Sequence, residues 1–270
     1  MTGVAERRPG SGDLGAAFAA ARTRLGLVAT LFGLAVAGWW WTAGQMRGMD
    51  DGPWSHLGAF TWFLAVWVVM MAAMMVPSVA PTIALYSRMT RSRSTLSPLV
   101  FAAGYLVTWA AAGVVAFAVG GVVGSLSGGV LEWHRAGRWI AGLTLVFAAV
   151  YELTPLKDVC LGKCRSPLGF LLSSWREGVA GAARMGMASG AWCVGCCWAL
   201  MASLFALGVM SVTWMAVVAG LIAFEKTLPW PRLASYGTAA VLVLLGVLLM
   251  AAPGSLPGLT VPGNAPMTGM

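Results

Sequence analysis

Long apolar runs, separated by short polar, basic or Gly- and Pro-rich stretches, dominate this chain. Seven runs, at 25–44, 59–86, 98–122, 137–153, 183–208, 211–228 and 234–252, approach the length a bilayer demands. A helix advances about 1.5 Å per residue, so about 20 apolar residues cross a hydrocarbon core of about 30 Å. The expected fold is all-α, a polytopic transmembrane helical bundle of about seven spans. The fourth run is the shortest, and the fifth and sixth are separated only by Val209 to Ser211, which predicts a tight helical hairpin. Arginines precede the first run as in a signal peptide. It continues into Trp39, Trp40 and Trp41 without a small-residue cleavage site, and reads as a retained first helix. Residues 1–22 and 253–270 carry no sustained pattern and are expected to be disordered tails on a helical domain at 23–252.

Composition supports this reading. Apolar residues make up 59% of the chain and charged ones only 10%, against about 25% charged in soluble domains. The chain cannot furnish a polar surface, so the lipid bilayer must be part of its solvent. The net charge of +8 would suit nucleic acid, but no aromatic–basic interleaving supports that partner. The basic residues instead cluster between apolar runs: Arg7, Arg8, Arg22 and Arg24; Arg88, Arg91 and Arg93; Lys157, Lys163, Arg165 and Arg176. The alternate connections hold Asp50, Asp51, Glu132, His56 and His134. By the positive-inside rule the N-terminus is inside and the C-terminus outside. The last span contains no lysine, which removes the Schiff-base chemistry of a retinal protein.

Candidate chemistry rests on sulfur. All five cysteines fall between Cys160 and Cys197, away from the outer segments, so they do not read as an extracellular disulfide framework. In the fifth span Cys193 shares a helical face with Cys196 and Cys197, and Met201 extends that stripe. Gly186 and Gly190 form a small-xxx-small pair that lets a neighbouring helix approach. Soft ligands of this kind select Cu(I), or zinc if enough thiolates gather. Cys160 and Cys164 follow the fourth span, where Lys157, Lys163 and Arg165 are expected to favour thiolate. In the second span Met71 and Met75 lie four apart on one face, a spacing suited to a thioether relay for Cu(I). Pro77 and Pro81 are expected to break that helix one turn later.

Depth relates the groups. The cysteines of the fifth span fall near mid-membrane, the methionines in the inner half, and Cys160 and Cys164 at the inner mouth. Glu152, Glu225 and Lys226 lie at the same inner ends, Glu225 with Lys226 forming a candidate interfacial pair. On the outer side Met46, Met49, Asp50, Asp51 and His56 read as a solvated loop or a loose cation site.

Three stretches carry a resemblance: Met-Met-Ala-Ala-Met-Met-Val-Pro ending at Pro77, the segment from Thr154 to Pro167 with its two cysteines, and Cys193-Val-Gly-Cys-Cys-Trp198. Together they resemble the bacterial family of predicted metal-binding integral membrane proteins known as domain of unknown function 2182. The resemblance extends from about Trp54 to Pro229. It implies metal binding and a bacterial cytoplasmic (inner) membrane, and names neither metal nor activity.

The leading reading is a soft-metal protein, for Cu(I) before zinc, acting in transport or delivery by thiolate and thioether ligand exchange. Its metal ligands would be Cys193, Cys196, Cys197, Met201, Cys160, Cys164, Met71 and Met75, and a metallochaperone or membrane protein would be its partner. Two alternatives are a membrane thiol–disulfide oxidoreductase and a non-catalytic assembly partner. Against the redox enzyme stands the vicinal Cys196–Cys197 pair, whose side chains diverge by about 100° on a helix. No phosphate-cradling loop, no paired carboxylates within a span and no histidine outside the outer loops occur. Hydrolysis and ATP-driven pumping by this chain alone are therefore not expected.

Overall fold

Helices occupy six of the seven apolar runs in the computed structural model, which describes residues 33, 35–41, 44, 60–90, 96–127, 137–207, 212–228 and 230–252. They are α1 (Phe60–Thr90), α2 (Ser97–Ser127), α3 (Arg138–Glu152), α4 (Pro155–Arg165), α5 (Pro167–Ser173), α6 (Gly178–Leu207), α7 (Val212–Thr227) and α8 (Pro231–Ala251). No strand occurs among the described residues. Both tails and the outer loop of Met46, Met49, Asp50, Asp51 and His56 lie outside the described residues. So does most of the first expected span, although residues 35–41 are helical, with Gly38 against Val69 and Ala73 of α1.

Among the described residues, α1, α2, α6 and α8 are each long and apolar enough to cross a membrane. A fifth crossing results if α3 and α4, bent by 69° at their junction, are counted as one broken span. Alone, α3 and α7 have 15 and 16 residues, or about 22–24 Å at 1.5 Å per residue. That is short of a core about 30 Å thick.

α1 runs unbroken from Phe60 to Thr90 through both Pro77 and Pro81, so the expected break does not occur. A helix among helices tolerates proline when neighbouring groups satisfy freed carbonyls. Pro77 and Pro81 leave the carbonyls of Ala73 and Pro77 without their helical N–H, and in the same turn Ser78 Oγ donates to the neighbouring Met75 carbonyl at 2.7 Å. α1 meets α2 through Trp67, whose Nε1 donates to the Trp109 carbonyl at 2.9 Å.

α2 and α6 run in the same direction along a seam of small residues. Phe101 meets Gly186, Gly104 meets Ala183 and Met187, and Thr108 meets Gly190. The approach is close enough for Thr108 Oγ1 to donate to the Met187 carbonyl at 3.1 Å. A Cβ at Gly186 would run into the Phe101 carbonyl, whereas nothing lies within 4 Å of one at Gly162 of α4. Gly186→Ala is therefore expected to destabilise the protein by about 1–3 kcal/mol. Gly162→Ala is expected to be neutral or to stabilise by up to about 1 kcal/mol, as alanine favours helix. Thermal unfolding of both variants in detergent, followed by helical circular dichroism, checks the contrast; equal melting would refute the seam.

The turn from α3 into α4 positions the site. Thr154 caps α4, its Oγ1 accepting from the Lys157 N–H at 3.4 Å. Pro155 opens the helix at a position where no N–H is needed. Tyr151 secures α3 to α6, its hydroxyl donating to the Gly195 carbonyl at 2.5 Å and its ring resting edge-on against Trp198.

Candidate metal centre

The 69° bend carries α4 back against α6 and merges two groups of cysteines that the sequence placed at different depths. Cys164 of α4 and Cys193 and Cys196 of α6 bring their Sγ atoms within 4.8 Å of one another. Cys164 and Cys196 are 3.7 Å apart. The vicinal Cys196 and Cys197 come to 3.3 Å although they diverge around the helix, and all five cysteines are free thiols. Cys193, Cys196 and Cys197 are buried, and Cys164 is half-buried.

Sulfurs at this spacing suit one soft ion. With metal–sulfur distances of about 2.3 Å, three ligands in a plane stand about 4 Å apart. A small cavity adjoins the group, lined by residues including Cys164, Cys193, Tyr105, Ser78, Lys163 and Lys226. Its volume of about 20 Å³ is room for one water or one bare ion. Lys163 is exposed and places the cavity's edge near the surface.

The other expected ligands stand further off. Cys160 is buried with its sulfur against the backbone of Gly195, where a Cβ would sit 2.9 Å from Sγ, and it is outside the group of three. Met201 is buried on α6 one turn beyond Cys197, also outside that group. Met71 and Met75 are fully buried within α1. The α1 residues that line the cavity are Ser78, Val79 and Thr82, about one turn past Met75.

Several polar residues of the centre escaped sequence reasoning. Tyr105 of α2 donates its hydroxyl to Cys193 Sγ at 3.0 Å. Lys226 of α7 donates to Cys193 Sγ at 3.2 Å and to Ser78 Oγ at 3.1 Å. Tyr105 offered no signal, lying in an unbroken apolar run. Lys226 did, as a lysine beside a span, but Glu225 and Lys226 do not pair. Glu225 instead takes Lys157, whose Nζ donates to its two carboxylate oxygens at 2.9 and 2.7 Å, and Glu152 completes the ion cluster. Side chains in this cluster are 0–3% exposed. Arg165 donates to the carbonyls of Glu225 and Leu228 at the end of α7. Lys157 and Arg165 are thus engaged with α3 and α7 rather than with the thiols. They fasten α4, and with it Cys164, in place.

A family described as PpoB2, copper chaperone, matches residues 64–249, which include all five cysteines and the methionine pair. No curated protein and no solved structure matches the chain.

Proposed function

This chain belongs to the PpoB2 copper chaperone family, and from that membership we propose that it is a membrane-embedded chaperone receiving Cu(I) on Cys164, Cys193 and Cys196. The observation that carries the proposal is the convergence of three thiols from two helices within 4.8 Å. Thiolates hold soft monovalent copper, and burial keeps water and oxidants from the ion. Delivery proceeds by ligand exchange. Cys197, 3.3 Å from Cys196, supplies a fourth thiol onto which the ion can shift without becoming bare. Cys164, half-buried beside exposed Lys163, is the thiol nearest an incoming or outgoing carrier, a metallochaperone or a membrane protein. Met71 and Met75 extend the path along α1 as a weaker thioether relay. The basic clusters support an N-terminus inside, and the resemblance of the three sulfur motifs supports a bacterial inner membrane as the setting.

Copper content of the reduced, detergent-purified protein tests the proposal. About one Cu(I) per chain is expected, with sulfur ligation in the X-ray absorption spectrum. No copper after anaerobic loading would refute it. A Met71→Leu/Met75→Leu variant is expected to keep its equilibrium affinity and to exchange copper more slowly.

A thiol–disulfide reading draws on the 3.7 Å separation of Cys164 and Cys196, which one disulfide could bridge after a small movement. Its signature is a reversible redox-dependent change in thiol labelling that proceeds without metal.

A further inference from the structure

Thiolate clusters do not by themselves reject zinc, which binds Cys sulfur at about 2.3 Å and is held by thiolates alone in many proteins. A Cu(I) carrier with this ligand set therefore needs a second means of discrimination. Lys226 is placed to provide it. Its ammonium lies 3.2 Å from Cys193 Sγ and lines the same cavity as Cys164. Its other contact is a neutral hydroxyl, Ser78 Oγ, at 3.1 Å. The adjacent carboxylate, Glu225, is turned to Lys157. Among the described residues no ion pair joins Lys226 to a carboxylate, so its charge faces the sulfurs.

We infer that Lys226 sets the valence of the cargo, favouring a monovalent soft cation over a divalent one at the Cys164–Cys193–Cys196 site. The inference rests on the copper reading and concerns how that site chooses its ion. With n thiolates bound, a Cu(I) complex carries charge 1 − n and a Zn(II) complex 2 − n. Whatever the number of thiolates, the monovalent complex is one unit more negative. A fixed ammonium a few ångströms away stabilises it more by one full charge–charge interaction. In a half-buried site that difference corresponds to a preference on the order of ten- to a hundredfold. Lys226 is a positioning and selecting residue here; it is not a ligand, since an ammonium has no lone pair to offer.

The test measures Cu(I) and Zn(II) affinities of the full-length reduced protein in detergent, by competition with chelators of known affinity. Lys226→Met and Lys226→Gln are compared with Lys226→Arg. Both neutral variants are expected to lose on the order of ten- to a hundredfold in Cu(I) affinity. Their Zn(II) affinity should fall less, so the preference for Cu(I) narrows. Lys226→Arg keeps the charge and is expected to keep the preference. The sulfur coordination number from X-ray absorption should not change in any of them. Equal losses for both metals in the neutral variants, or loss of preference in Lys226→Arg, would assign Lys226 a structural role and overturn the inference. A wild-type protein that binds Zn(II) but no Cu(I) would overturn the copper reading and this inference together. Wild-type Cu(I) binding with an unchanged metal ratio in the neutral variants would overturn the inference alone.

Discussion

Cys193→Ser and Cys196→Ser are each expected to weaken Cu(I) binding by more than about a hundredfold. Loss of a residue that only supports a ligand already costs about 10- to 100-fold in comparable sites. Serine preserves size and polarity but replaces a soft, ionisable sulfur with a hard hydroxyl oxygen that stays protonated. The informative comparison is between the two cysteines of α4. Cys164 lies 3.7 Å from Cys196 and belongs to the group of three. Cys160 rests on Gly195 outside that group. Cys164→Ser is expected to match the α6 variants, and Cys160→Ser to stay within about threefold of wild type, having lost packing and no ligand. Anaerobic chelator competition on all four proteins decides the matter. Equal losses for Cys160→Ser and Cys164→Ser would mean that α4 contributes both thiols or neither, and would refute the three-thiol site.

Lys157→Met should have the largest effect on stability. Its ammonium is fully buried between Glu225 and Glu152, from the ends of α7 and α3. Removing it leaves two buried carboxylates with no cation between them. Breaking a buried ion cluster from one side costs about 3–5 kcal/mol, largely through the charge left unpaired. Glu225→Gln added to Lys157→Met removes one of those charges, so the double variant is expected to regain part of the loss. Thermal unfolding of the single and double variants in detergent measures both effects; a double variant less stable than the single would contradict the electrostatic account. Because Lys157 lies two turns before Cys164 on the same short helix, the single variant is also expected to lower copper occupancy. Unchanged copper occupancy in a visibly destabilised Lys157→Met would show that α4 does not need this anchor to present Cys164.

Much of the molecule was legible in its sequence because the governing physics is local. Apolar runs of bilayer length mark helices wherever the chain later packs them, and among the described residues helices occupy the second to seventh runs and residues 35–41 of the first. Gly186 and Gly190 announced a close helix approach, and α2 lies on them. Cys193 and Cys196 could be put on one face from helical periodicity alone, since i and i+3 are neighbours on any α-helix. The family match, described as a copper chaperone, agrees with the copper that the three sulfur motifs suggested.

What the sequence could not determine depended on direction and partner choice between helices. The Thr154–Pro155 pair does signal a helix start, but not the 69° at which α4 leaves α3. That angle decides whether Cys164 waits at the inner mouth or reaches Cys196. Glu225 and Lys226 are adjacent in the chain, yet on a helix adjacent side chains point about 100° apart. Only the arrangement of α1, α3, α4 and α6 around them sends Glu225 to Lys157 and Lys226 to Cys193 and Ser78. Tyr105 gains a role for the same reason, through a neighbour 88 residues away. Residue type and short-range spacing suffice to give the apolar helices and their supply of soft ligands. The tertiary structure alone decided which thiols meet and which charge faces them, because those are contacts between helices distant in the chain.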